Sequence, residues 1–215
     1  VLQVQHFTFN PFFENTYIVY DTETLACVIF DPGCYRASEE ETLKKYIISK
    51  QLIPVALVNT HCHVDHILGN DFVARTWKLK LQLHEQEQIT MQQTARWAEA
   101  LGINPGVQEA ERIFIDAGSI IKVGNYELIA LFTPGHSIAS LSFYCKEAAF
   151  VIGGDVLFKM GIGRTDLPGG DFETLAASIQ HELYTLPHET IVYSGHGEPT
   201  TVGFEILHNP YVKGL

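Results

Sequence analysis

The chain has 215 residues, 46% apolar and 18% charged, with a formal net charge of −11. That composition belongs to a globular protein large enough to bury a sizeable core. Its 14 Lys and Arg residues form no run, which argues against a nucleic-acid partner, and no apolar stretch approaches the ~18 residues that span a bilayer, so no membrane partner is expected either.

Val4 to Phe9 and Thr16 to Tyr20 are rich in β-branched and aromatic residues and read as strands joined by a turn at Asn10-Pro11. Ala26 to Phe30 is a third strand, stopped by the turn signal Asp31-Pro32-Gly33. Asp31 reads either as a turn former or as a strand-end group that supports a neighbouring site. Ser38 and Glu41 have the spacing of a capping box, and Leu43, Tyr46 and Ile47 follow at helical spacing in a helix ending near Gln51. Pro54 then precedes the apolar strand Val55 to Asn59. Strand, helix, apolar strand predicts an α/β layered fold.

Further along, Phe72, Val73 and Trp77 continue a helical pattern and Lys80 to His84 is a short strand. Gln86 to Leu101 is a polar-faced helix closed by Gly102, suited to covering the surface or walling a pocket. Arg112 to Leu131 alternates short strands with glycine turns at Gly118 and Gly124-Asn125. Leu141 to Tyr144 and Ala149 to Ile152 form a strand pair ending at Gly153-Gly154-Asp155. Asp171 caps a helix reaching Leu186, and Thr190 to Tyr193 is the last predicted strand, ending in Ser194-Gly195-His196-Gly197. With no linker, charge block or low-complexity segment, one domain over residues 1–215 is expected.

The informative stretch is Thr60-His61-Cys62-His63-Val64-Asp65-His66, directly after the apolar run Val55 to Val58. Histidine and aspartate are poor residues for a buried strand end unless something offsets their desolvation, and a metal ion does so. His61 and His63, two apart, can reach one ion. Asp65 and His66 then point elsewhere, which suggests a second. Three more strands end in a ligand-type residue beside glycine: His136, Asp155 and His196. Each alone is weak, but together they form a strong pattern.

The order T-H-x-H-x-D-H, P-G-H, G-D and G-H-G resembles the metallo-β-lactamase superfamily over essentially the whole chain. The resemblance implies a four-layer αββα sandwich of two mixed sheets flanked by helices, with two metal ions at one edge. It places His61, His63 and His136 on the first ion, Asp65, His66 and His196 on the second, and Asp155 between them. Asp65 and Asp155 are thereby the candidate catalytic carboxylates. Asp31-Pro32-Gly33, Thr133-Pro134-Gly135-His136, Gly163-Arg164-Thr165-Asp166 and Asn209-Pro210 bring the chain closest to glyoxalase II-like hydrolases. Classical members carry a further C-terminal helical domain for glutathione, which this chain is expected to lack, and that loosens the link to glutathione. A smaller departure is Ser137-Ile138-Ala139-Ser140, where the family has a glycine before the serine.

Such a ligand set leaves positions open for water and substrate, as catalytic sites do. Two ions about 3.5–4 Å apart lower the pKa of a shared water towards ~7. A thiolate with a conjugate pKa near ~8.5 leaves without a proton donor, so thioester cleavage suits the site better than amide cleavage. The expected substrate is a small acyl-thiol such as S-lactoylglutathione. Zinc is the first expectation for the metal, with iron or manganese as alternatives, since imidazole and carboxylate accept all three. Arg164 and Asp166 read equally as a loop ion pair or as groups that orient the ligands.

Two other readings carry their own signatures. A persulfide dioxygenase of the same fold would hold a single iron at the positions of His61, His136 and Asp155, although Gly197 and Asn209-Pro210-Tyr211 look more hydrolase-like. A non-catalytic metal-binding module would lack ligands, and none is missing. Cys27, Cys34, Cys62 and Cys145 form no Cys-x-x-Cys pair, so reduced thiols in a cytoplasmic protein are expected, with Cys62 as a packing residue.

Overall fold

A computed structural model describes residues 1–100, 102–106 and 108–214. Its first sheet has the order β1-β2-β3-β4-β5-β6, comprising β1 (Leu2–Phe9), β2 (Glu14–Asp21), β3 (Ala26–Phe30), β4 (Ile53–Val58), β5 (Leu81–Leu83) and β6 (Arg112–Phe114). Strand β2 is antiparallel to both β1 and β3, and β3 to β6 run parallel. The second sheet contains β7 (Ile120–Val123), β8 (Tyr126–Phe132), β9 (Leu141–Cys145), β10 (Phe150–Gly154), β13 (Ile191–Ser194) and β14 (Thr200–Thr201). Its order is β14-β13-β10-β9-β8-β7, with β10 and β13 parallel and the other pairs antiparallel. A small hairpin, β11 (Leu157–Phe158) with β12 (Gly161–Ile162), stands apart.

Why the sheets stack follows from the two-residue period of a strand. In β3, Val28 and Phe30 enter one buried cluster while Cys27 and Ile29 enter another. In β4, Ala56 and Val58 divide from Leu57 in the same way. Both faces are covered, which is why these strands read as unbroken apolar runs. The first cluster joins Val28, Phe30 and Val58 to Leu128, Phe143 and Ile152 of the second sheet, so it is the core between the sheets. The second cluster lies on the outer face of the first sheet, under Leu43 and Ile47 of α1 (Ala37–Ser49), Val73 of α3 (Asn70–Trp77) and Met91 of α4 (Glu87–Ala100). A third cluster packs Val151 and Val192 of the second sheet against Leu175 of α5 (Phe172–Ser178), Ile179 of the π-helical turn that follows, and Val202 of α6 (Val202–His208). The layers are therefore helix, sheet, sheet, helix, as expected. No helix among the described residues is long and apolar enough to cross a membrane.

Among the boundaries that differ from expectation, β4 starts at Ile53 and takes in Pro54, and two others have a clear cause. Helix α1 starts at Ala37 with Arg36 as its N-cap, and Glu39 does the capping in place of Ser38 and Glu41. The Glu39 carboxylate accepts from the backbone amides of Tyr35 (2.8 Å), Arg36 (3.1 Å) and Asn10 (3.0 Å). A helix begun at Ser38 would leave those donors without that acceptor. Nor is Thr190 to Tyr193 the last strand: β14 and α6 follow it, with the Thr201 hydroxyl accepting from Phe204 N at 3.3 Å to cap α6. Leu101, the expected end of α4, lies outside the described residues.

Candidate metal centre

Parallel pairing carries the ends of β3 and β4 to one edge of the first sheet, and those of β10 and β13 to one edge of the second. Strand β8 is antiparallel to β9, which is antiparallel to β10, so β8 ends at that edge too. Asp31 follows β3, His61 and His63 follow β4, and Asp65 and His66 lie on the single turn α2 (Val64–Ile67). His136, Asp155 and His196 follow β8, β10 and β13. Backbone hydrogen bonds join the sheets here, among them Leu141 N to Thr60 O (2.8 Å) and Asn15 N to Gly195 O (2.7 Å).

All seven candidate ligands converge. His61, His63 and His136 form one group, with His63 Nδ1 2.8 Å from His136 Nε2. Asp65, His66 and His196 form another, with Asp65 Oδ2 3.0 Å from His196 Nε2 and 3.5 Å from His66 Nε2. Asp155 stands between them, its Oδ1 3.4 Å from His66 Nε2 and its Oδ2 3.4 Å from His136 Nε2 and 3.5 Å from His196 Nε2.

The far side of each ring explains its orientation. His136 Nδ1 donates to the Arg164 carbonyl at 2.8 Å, and His66 Nδ1 to Asp31 Oδ2 at 3.1 Å. His61 Nδ1 faces the Thr60 hydroxyl at 3.1 Å, and that hydroxyl donates to Asp31 Oδ2 at 2.5 Å. With Nδ1 donating in each, Nε2 is the nitrogen that faces the centre, where a metal ligand needs it. Against the burial that would lower it, Asp65 and Asp155 raise the pKa of His66 well above the histidine range, so an ion bound there would displace its Nε2 proton. His63 alone turns Nδ1 inward.

The residues fit a metal by a further test. His61 Nε2, His66 Nε2 and Asp155 Oδ1 are buried without a hydrogen-bond partner. Buried polar atoms are rarely left so, and an ion among them is the partner they lack. Burial, reinforced by neighbouring imidazoles, pushes His61 well below the usual histidine range and His63 down to about 3, so both are neutral at pH 7. Against the burial that would raise it, His66 and His196 hold the Asp155 carboxyl well below the carboxylate range. Neutral imidazoles beside an ionised carboxylate are the donor set that divalent ions take.

Asp31 is the strand-end support and not merely a turn former. It is buried in a left-handed conformation (φ 46°), accepts from Thr60 N at 2.7 Å and stands behind His66. The Arg164 and Asp166 side chains pair with each other at 2.6 and 2.8 Å on the surface, so it is the Arg164 main-chain carbonyl that orients His136. Gly195 is required by close approach: a Cβ there would overlap Asp155 Oδ1 and lie 2.8 Å from His66 Cε1.

Two buried acids escaped the sequence reading. Glu87, at the start of α4, accepts from Cys62 N (2.8 Å), Ser137 Oγ (2.6 Å) and Ala139 N (2.9 Å). One carboxylate thereby ties the loop of His61 and His63 to the loop of His136. Glu14 lies behind His66, with Oε1 4.0 Å from Nδ1, and burial raises its pKa well above the carboxylate range. Cys62 is fully buried in the core cluster beneath α1 and α3, the packing role expected of it.

A cavity of about 380 Å³ opens over His63, Asp65, His136, Asp155 and His196. The sandwich and this edge site define a class, and residues 9–196 match the Metallo-beta-lactamase superfamily. The chain belongs to that superfamily and is one of its metallo-hydrolases. Among its relatives, the "Probable metallo-hydrolase YqgX" of Bacillus subtilis is 40% identical over 208 residues, 96% of this chain and 95% of that protein. Hydroxyacylglutathione hydrolase GloC of Haemophilus influenzae is 33% identical over 211 residues, 95% of each chain. Among solved structures, the BLEG-1 B3 metallo-β-lactamase matches with a TM-score of 0.85 at 34% identity, covering 99% of this chain and 100% of its own. TTHA1623 in a di-iron-bound form matches with a TM-score of 0.85 at 33% identity, covering 97% and 100%.

Proposed function

We propose that the protein is a dinuclear metal thioester hydrolase. The observation that carries this reading is the meeting of two ligand groups at Asp155. His61, His63 and His136 would hold one ion, Asp65, His66 and His196 the other, with Asp155 shared. When bound, such ions lower the pKa of a water and polarise the substrate's acyl oxygen. Zinc suits this donor set, as do iron and manganese, and the di-iron form of TTHA1623 keeps iron in view.

The chain's own residues favour a thioester. Apart from the candidate ligands, the described lining residues of the cavity include no carboxylic acid, histidine, cysteine or tyrosine able to protonate a leaving group. A departing amine needs that proton, whereas a thiolate with a conjugate pKa near ~8.5 does not. The similarity to GloC, a hydroxyacylglutathione hydrolase by name, points the same way. A small-molecule substrate suits the cavity, and four buried free thiols suit a reducing compartment such as the cytoplasm.

The test is loss of thioester absorbance when metal-quantified protein meets S-lactoylglutathione. Turnover abolished by a chelator and by Asp155→Ala is expected. Two bound metals without cleavage of this or any other thioester would refute the reading. A single bound iron without turnover would favour persulfide oxidation instead.

A further inference from the structure

The cavity walls say more about the substrate than the metal ligands do. Thr90, Gln93, Thr94 and Trp97 of α4 all line the cavity, and their spacing of three, four and seven puts them on one helix face. Trp97 is 46% exposed, a large aromatic turned to open space beside the site. Thr90, Gln93 and Thr94 give that face neutral polar groups, while Phe12 and Val64 add apolar wall and share a buried cluster with Ala98, one turn on from Thr94. Leu167 and Pro168 also line the cavity.

Charge tells the same story from the other side. Among the described lining residues Arg164 is the only lysine or arginine, and Asp166 already holds its guanidinium with two hydrogen bonds. With two divalent ions loaded, the charges of Asp65 and Asp155 at the base of the cavity are offset, so discrimination against a charged arm rests on the walls, in a chain whose formal net charge is −11. A substrate arm bearing two carboxylates, as glutathione does, would meet among the described lining residues one cationic side chain, already committed to Asp166. An uncharged arm meets Phe12, Val64, Trp97, Leu167 and Pro168, interspersed with the neutral side chains of Thr90, Gln93 and Thr94.

Resting on the hydrolase reading above, we infer that the site selects a substrate whose recognised arm is neutral and apolar, aromatic or branched aliphatic. Trp97 is its specificity-determining contact, and an acyl-thiol with such an arm is bound more tightly than its glutathione counterpart.

Binding tests this without relying on turnover. Metal-loaded protein is titrated in a calorimeter with two uncleavable thioethers that share a benzyl group: neutral S-benzyl-N-acetylcysteamine and charged S-benzylglutathione. The neutral ligand should bind at least tenfold more tightly. Trp97→Ala should weaken it about tenfold, Trp97→Phe should restore most of that loss, and replacing benzyl by methyl should remove the dependence on Trp97. Equal or tighter binding of S-benzylglutathione, no saturable binding of the neutral ligand, or no response to Trp97→Ala would each overturn the inference. Cleavage of the matching thioesters is read separately. If none is cleaved while the binding pattern holds, the hydrolase reading falls and the arm assignment stands.

Discussion

Replacing Glu87 with glutamine changes one atom in a fully buried side chain, yet the structure gives that atom a defined cost. The carboxylate takes only donors: Ser137 Oγ and Ala139 N on Oε1, Cys62 N on Oε2. A glutamine amide serves the Oε1 side with its carbonyl and then sets its NH2 against the Cys62 amide, donor facing donor. Leaving one buried N–H unsatisfied costs about 1–3 kcal/mol. For a chain of this size ~2 kcal/mol lowers the melting temperature by about 4–8 °C. The damage falls on the peptide between His61 and His63, so metal affinity should drop at least tenfold, about 1.4 kcal/mol. Glu87→Ala orphans both amides and should cost about 2–6 kcal/mol, a large share of the ~5–15 kcal/mol that stabilises a typical domain. Thermal melts of metal-free protein and competition with a chromophoric chelator measure the two effects. A glutamine variant that melts and binds metal like the parent would refute the role given to Glu87.

Three further outcomes are expected. His63→Ala and Asp155→Ala should each lose bound metal and hydrolysis while keeping the far-ultraviolet circular dichroism spectrum; either variant with normal metal content and activity would overturn the ligand assignment. Gly195→Ala should push Asp155 and His66 apart and weaken metal binding by more than tenfold, measured by the same chelator competition, and parental affinity would show that the edge can relax. In metal-free protein, His63 has a folded pKa of about 3 against ~6.5 unfolded, so the unfolded state binds more protons between those values. The His63 contribution to stability is therefore complete above ~6.5 and lost as the pH falls towards 3. Urea midpoints of metal-free protein at pH 7.5 and 5 should differ less in His63→Ala than in the parent, and an equal difference would contradict the burial argument.

How much of this could be read from the sequence depended on how local each signal was. Strand β3 was legible to the residue because an apolar run meets Asp31-Pro32-Gly33, a stop written in adjacent positions. The candidate ligands were legible because glycine and histidine at strand ends are costly without a reason. Glu87 was not: it sits in Glu85-Gln86-Glu87-Gln88, which looks like a solvated helix face, and its three donors lie 25 to 52 positions away. Glu14 was hidden likewise, since its burial depends on strands and turns that meet only in the fold. The part Arg164 plays runs through its main-chain carbonyl, which no side-chain pattern reveals. Helix α6 buries only Val202 and Glu205, too few positions to raise a periodic signal.

His61, His63, Asp65 and His66 hang from the first sheet, and His136, Asp155 and His196 from the second. An ion shared by His63 and His136 would join positions 73 residues apart and act as a removable cross-link between the two halves of the sandwich. Cross-links of that span restrict the unfolded chain strongly, because loop-closure entropy grows with loop length. The backbone bonds at Thr60 and Gly195 and the contact of Phe30 with Phe143 hold the sheets together beside this site, so a bound ion would add to a seam that is already closed. On that reasoning the supply of metal would set resistance to unfolding and proteolysis as well as activity.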